Sequence, residues 1–321
     1  MNVSLRRNVS NLPFHSADTF PSHFSSGGAI MQPYIFMTDS DSDLPLAIKE
    51  QYDIPVVYMP YALDGKEYFD DLGQTLDAKS FFDKMRAGAQ PSTSALNEAV
   101  YTEYFEPYFA AGQDILFVAF SSQLSGTINS IYAAREALLE QYPERKMIVV
   151  DTLTISAPMT ILIIKAHEMY RGGASMEEVA QWLEDNKLRA QAWFTVDDLK
   201  YLHRGGRISA AAATMGTLLD LKPILVETLE GKIAAANKVR GRRKAMAYIV
   251  DKAVENIEDP NEAPGYVVHA DAEADALRLM EMLKAKFPTM DIRLSNVGPV
   301  IGAHAGPGTI AFSFLGKKRP M

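Results

Sequence analysis

The chain of 321 residues contains no cysteine, which excludes disulfides and thiolate chemistry. It is short of positive charge. Its 32 Lys and Arg stand against 40 Asp and Glu, a formal net charge of -8, which argues against nucleic acid as a partner and against attachment to an anionic membrane surface. No apolar run reaches the roughly 20 residues that a membrane-spanning helix needs, so integral insertion is not expected. Several chemical signatures are missing as well. No Gly-Lys-Ser/Thr follows a strand, so there is no Walker loop. The residue two before Ser125 is Gln123, so the Gly-x-Ser-x-Gly nucleophile elbow is absent. Asp39, Asp41 and Asp43 alternate with serines at a spacing that suits Mg²⁺, but the glycine and closing glutamate of an EF-hand loop are lacking. Capping of the next helix by Ser42 or Asp43 is the preferred reading of that run, and no metal or other cofactor is expected.

What is present points to a two-domain α/β protein. The length suits two domains and a hydrophobic content of 47% suits sizeable cores. The most informative stretch is 114–132, DILFVAFSSQLSGTINSIY. An apolar run with buried-strand character breaks into Ser121, Ser122, Ser125 and Thr127 around Gly126, and apolar spacing then turns helical. A loop from the carboxyl end of a strand to the amino end of a helix is where open α/β sheets bind ligands. Free helix N–H groups and the helix dipole favour an anion there, and hydroxyls add neutral donors. A phosphate or a carboxylate fits.

Before this stretch the pattern predicts a strand at 34–38, a helix at 44–51, one strand over 54–63, a helix at 76–87 capped by Thr75, and a helix at 95–110. After it come a strand at 147–150 and a long apolar helix at 158–170. Strands alternating with helices imply a parallel sheet. Beyond a boundary near 172–189 the pairing reads as mixed: strands at 192–196, 224–228, 233–239, 266–269, 292–296 and 310–315, with helices at 175–186, 197–203, 210–219, 240–257 and 272–286. Expected domains are 34–180 and 181–321. Residues 1–33 are polar and carry no contiguous apolar core, so a disordered extension is expected rather than a secretory signal; Met31 is an alternative start. Cytoplasmic residence follows.

Three further groups stand out. His304 lies between Gly302 and Gly306-Pro307-Gly308, in what reads as a loop where backbone approaches a ligand. Arg204 and Arg207 bracket Gly205-Gly206 and suit an anion. Arg240, Arg242, Arg243 and Lys244 form a basic cluster in an acidic chain, a solvated face or a docking patch. No nucleophile–base pair can be read from the spacing, so a binding protein outranks an enzyme.

The order of motifs resembles the DegV family of bacterial fatty-acid-binding proteins over about 34–317. The landmarks are Thr38-Asp39-Ser40, Pro91-Ser92-Thr93-Ser94, Ser121 to Thr127, Val196-Asp197-Asp198-Leu199, Gly205-Gly206-Arg207-Ile208, Lys222-Pro223-Ile224, and Gly298-Pro299 before His304. The resemblance implies a bound long-chain fatty acid whose carboxylate is held at Thr93 and Ser125, with Ser94 and Ser122 beside them, His304 near the carboxylate and Arg207 near the mouth. It further implies a partner, a fatty acid kinase, that phosphorylates the bound acid. Where that family commonly has Thr-Ser-Gln-Pro, this chain has Thr93-Ser94-Ala95-Leu96. The acyl tunnel is expected along 210–221 and 158–170. The alternatives are a phosphoryl-transfer or phosphate-ester enzyme using the serine loop, and a lipid-responsive regulator.

Overall fold

The computed structural model describes residues 34–209 and 221–320; the expected extension at 1–33 and the helix at 210–219 lie outside the described residues. Elements are numbered in chain order. In the N-terminal domain β1 (Tyr34–Asp39), β2 (Val56–Val57), β6 (Asp114–Ala119) and β7 (Met147–Asp151) form a parallel sheet in the order β2-β1-β6-β7. Central parallel strands are covered on both faces and read as continuous apolar runs; Ile115, Leu116, Phe117 and Val118 are fully buried. Helix α3 (Glu98–Ala110) packs on α4 (Thr127–Gln141), and α5 (Ala157–Arg171) on α6 (Met176–Asn186).

In the C-terminal domain β8 (Ala190–Thr195), β9 (Leu221–Glu227), β10 (Ile233–Arg240), β11 (Gly265–His269), β12 (Ile292–Asn296) and β13 (Ile310–Leu315) form a mixed sheet in the order β10-β9-β8-β13-β11-β12. Its pairs are antiparallel except β11–β12, which α9 (Glu273–Lys286) connects as a crossover. Helix α8 (Arg242–Asn256) and α9 cover a cluster that includes Trp193, Ile249, Leu279 and Phe312. Helix α5 touches β1 of the first sheet and β8 and β13 of the second. That position explains why its sequence is apolar all round rather than along one stripe.

Several boundaries differ from expectation for identifiable reasons. The segment 54–63 is not one strand. Pro60 begins a separate β3 (Pro60–Leu63), which pairs with β4 (Lys66–Phe69) and β5 (Ser92–Thr93). Asp64 and Gly65, both at positive φ, close the two-residue turn between Leu63 and Lys66. The cap of α2 (Ala78–Arg86) is Asp77, not Thr75; its carboxylate accepts the Ser80 N–H at 2.9 Å.

Candidate functional site

The acidic run folds inward instead of capping a helix. Asp39, at the end of β1, accepts the Asp41 N–H at 3.1 Å and the Phe120 N–H at 3.3 Å, and so shapes a short 3-10 turn over Ser40–Ser42. Helix α1 (Leu46–Tyr52) begins after Pro45 with no side-chain cap. Asp39, Asp41 and Asp43 are all buried. Asp43 accepts the Gly298 N–H at 2.8 Å and the Ser156 hydroxyl. Gly298 is required for that approach, since a Cβ there would lie 2.6 Å from Asp43 Oδ1 and 2.8 Å from Asp70 Oδ2.

Burial pushes the Asp43 carboxyl up to about 7, against the pull of Ser156 and Gly298. Between the ordinary carboxylate range and 7 the folded protein therefore holds more protons than the unfolded chain. Its stability falls as pH rises through that window. Asp43→Asn is expected to flatten this part of the profile and to exceed wild type in urea denaturation at pH 8, by up to about 4 kcal/mol. The amide keeps an acceptor for Gly298 and gains a donor for Ser156. A variant equally sensitive to pH would place the titration elsewhere.

The serine loop divides its hydroxyls. Ser121 is buried and donates to the Gly231 carbonyl at 2.8 Å, tying this loop to the β9–β10 turn. Ser122 is not brought to the cavity described below: its N–H goes to Asp151 and its hydroxyl accepts from Gln123. Ser125 pairs with the Thr127 hydroxyl at 2.8 Å at the start of α4, where Gly126 is the N-cap and no side chain caps the helix. Within that first turn the Thr127 N–H donates to Ser125 Oγ at 3.3 Å and the Asn129 N–H to the Gly126 carbonyl at 3.1 Å, so these donors are engaged inside the protein.

Thr93 ends β5, and its hydroxyl lies 2.8 Å from His304 Nε2. His304 is not on a loop. It sits in α10 (Pro299–Ala305), whose position 302 takes glycine because a Cβ there would fall 2.6 Å from the Phe82 ring; the glycine that ends the helix is Gly306, at φ +77°. The imidazole is wedged against Gly205, where a Cβ would stand 2.1 Å from Nδ1. Burial, reinforced by the cations Arg207 and Arg204, pushes His304 down to about 4, so the ring is neutral at pH 7. Nδ1 has no hydrogen-bond partner among the described residues. A proton on Nε2 leaves only a bare lone pair at Gly205 rather than an orphaned N–H, and frees the Thr93 hydroxyl hydrogen for an acceptor. Arg207 is held by the carbonyls of Leu124 and Gly205.

These groups meet at a cavity of about 160 Å³. Thr93, Ser94, Ser125, Arg207, His304 and Asp41 supply polar lining. Phe120, Leu124, Ile155, Phe194, Ile233, Val268, Val300, Ile301 and Ala311 supply apolar walls drawn from both domains. Of the expected tunnel, Pro158 lines the cavity, residues 159–164 and 166 are core, and 210–220 lie outside the described residues. Sequence reasoning missed Asp41, Ser156 and Glu227 as lining residues. Ser156 carries a signal that only the backbone shows, a φ of +61° at a residue that is not glycine. The Thr93–His304 contact is a hydroxyl–imidazole pair that spacing could not reveal, since 211 residues separate its members.

The cavity is thus lined by both hydroxyl, imidazole and guanidinium groups and apolar side chains, from elements of the parallel and of the mixed sheet. The family model described as "Uncharacterised protein, DegV family" matches residues 35–317. The chain belongs to the DegV family. A DegV domain-containing protein of Clostridium perfringens, CPE0026, is 40% identical over 286 residues, covering 89% of this chain and 98% of that relative. Among solved structures, a DegV family protein from Thermus thermophilus, described for its fatty acid binding, is 31% identical with a TM-score of 0.79, covering 89% of this chain and 100% of that one. A DegV lipid binding protein from Thermotoga maritima is 29% identical with a TM-score of 0.78, covering 90% and 100%. The family resemblance and the two-domain α/β fold expected from the motifs both hold. Among the described residues no helix is long and apolar enough to cross a membrane.

Proposed function

We propose that this DegV protein is a cytoplasmic carrier that binds a long-chain fatty acid and presents its head group to a fatty acid kinase, with no catalysis of its own. Residues 34–180 supply the hydroxyls of Thr93, Ser94 and Ser125, and 181–321 supply His304 and Arg207. The observation that carries the reading is the cavity: the Thr93–His304 pair, Ser94, Ser125 and the Arg207 guanidinium line it together with many apolar side chains. Each buried methylene of a tail contributes about 0.8 kcal/mol, while a buried carboxylate must be met by several donors to offset its desolvation. Extraction of the purified protein with organic solvent should release close to one fatty acid per chain. Release of no fatty acid, together with failure to bind added palmitate, would sink the proposal.

Thr93→Val and Ser125→Ala each remove one hydroxyl donor. Hydrogen bonds to charged groups are worth about 1.5–3 kcal/mol, so palmitate affinity should fall roughly tenfold to a hundredfold in each, with the fold retained. Unchanged affinity in both would move the carboxylate elsewhere. For the kinase, Arg240, Arg243 and Lys244 are exposed, whereas Arg242 is committed to Asp275 at 2.9 Å. The three exposed cations are the docking candidates.

The Thr93–His304 distance favours one competing reading, an ester hydrolase with a threonine nucleophile. Against it, no acid among the described residues orients His304 Nδ1, as the third member of a triad does. Turnover of a long-chain ester by the isolated chain would favour the enzyme.

A further inference from the structure

Among the buried carboxyls of the described residues, Asp41 is the one that lines the cavity and carries an oxygen without a hydrogen-bond partner. Its backbone is fixed: the N–H donates to Asp39 Oδ1 at 3.1 Å, and the carbonyl accepts the Ser156 N–H at 2.7 Å. The residue thereby lines the cavity together with Arg207, Ser125 and the Thr93–His304 pair. Asp41 is 2% exposed, and its buried Oδ1 has no hydrogen-bond partner among the described residues. Its neighbours are served differently. Asp39 takes two N–H groups, Asp43 takes Gly298 and Ser156, and Glu227, also on this cavity, takes Thr154 and Ile155. Asp70 Oδ2 is bare too, but Asp70 lines a different pocket, beside Leu72 and Pro299.

A second carboxylate brought into this cavity meets a buried carboxyl. Two such groups side by side cannot both ionise cheaply, and one proton between them removes the conflict. Arg207 balances the single negative charge that remains. We propose that Asp41 is a head-group positioning residue, its free Oδ1 and the carboxyl of the bound fatty acid sharing one proton taken from solvent. This rests on the fatty acid reading above. The surroundings agree: burial holds Asp41 well above the usual carboxylate range, Asp39, Asp70 and Asp43 push the same way, and Arg207 pulls back. His304, ionising only near 4, stays neutral and does not compete for the proton.

The test is carbon NMR of palmitate labelled at its carboxyl carbon, bound to the full chain. In wild type at neutral pH the bound resonance should be displaced toward the protonated acid. In Asp41→Asn it should sit at the ionised position, with palmitate affinity within about tenfold because the amide still donates. Over the pH range in which the bound pair keeps its proton while free Asp41 and free palmitate are ionised, affinity should fall about tenfold per pH unit, as linkage to one proton requires, while Asp41→Asn stays level. That difference isolates Asp41 from Glu227, Asp39, Asp43 and Asp70, which both proteins share. A wild-type resonance already at the ionised position at neutral pH overturns the proposal without any variant, and so does an identical resonance in both proteins. If wild type shows no bound resonance at all, the fatty acid reading fails, and this inference with it.

Discussion

Gly205→Ala is expected to fold and to lose palmitate affinity by about a hundredfold. Gly205 caps the short helix α7 (Lys200–Arg204) at φ -73°, a conformation alanine adopts freely. The backbone therefore gives no reason for glycine, and alanine would on its own stabilise the chain by about 0.4–1 kcal/mol. The obstacle is the His304 ring, with Nδ1 at 2.1 Å and Cε1 at 2.9 Å from the new methyl. The ring must leave, and its bond to Thr93 goes with it. The hydroxyl then loses its orientation, and the displaced imidazole takes up space in the cavity. A hundredfold loss corresponds to about 2.7 kcal/mol, within the range for hydrogen bonds to a charged group. The decisive measurement is a double-mutant cycle. In a His304→Ala background, Gly205→Ala should cost nothing further. Additive losses would mean that Gly205 matters for some reason other than this ring.

How far the sequence reveals such a site depends on how local each signal is. The parallel core was legible because strands such as β6 are buried on both faces, and the carrier loop was legible because Ser125, Gly126 and Thr127 fall where a strand pattern gives way to a helical one. The Asp64-Gly65 turn was legible because two residues suffice to make it; Glu230-Gly231 also marked a turn, one that closes over Leu229, Glu230 and Gly231 between Thr228 and Lys232. The acidic run was misread. Alternating Asp and Ser are good caps in isolation, and only the arrival of Gly298, Ser156 and Phe120 from distant parts of the chain turns them inward. His304 was assigned to a loop because flanking glycines ordinarily break helices; at Gly302 the Phe82 ring demands one inside a helix. Ser122 and Ser125 cannot be told apart by type or spacing, yet one is turned to Gln123 and the other lines the cavity.

The sharpest case of a role hidden from local pattern is Arg319, and its replacement is expected to have the largest effect on stability. Nothing in the sequence separates it from Lys317 and Lys318 beside it. In the structure it is 3% exposed and its guanidinium reaches four carbonyls: Ala190 at 2.9 Å, Leu153 at 2.6 Å, Thr228 at 3.1 Å and Lys187 at 3.2 Å. It also stands 3.7 Å from Glu227, itself 3% exposed. The end of the chain thus joins the β7–α5 loop of the first domain to the β8 and β9 region of the second. Arg319→Ala would strand those carbonyls and leave Glu227 without its counter-charge. Removing one partner of a buried pair costs about 3–5 kcal/mol, a large share of a typical folding free energy. Burial already raises the Glu227 carboxyl while Arg319 pulls it back. Without the arginine Glu227 is raised further, so the loss should be greater at pH 8 than at pH 5. Glu227→Gln placed on Arg319→Ala should recover part of the loss at pH 8 and little at pH 5, since the amide still accepts from Thr154 or Ile155 and carries no charge. Urea denaturation of the four proteins at both pH values checks this. A loss in Arg319→Ala that is independent of pH and untouched by Glu227→Gln would assign the whole effect to the stranded carbonyls and none to the ion pair.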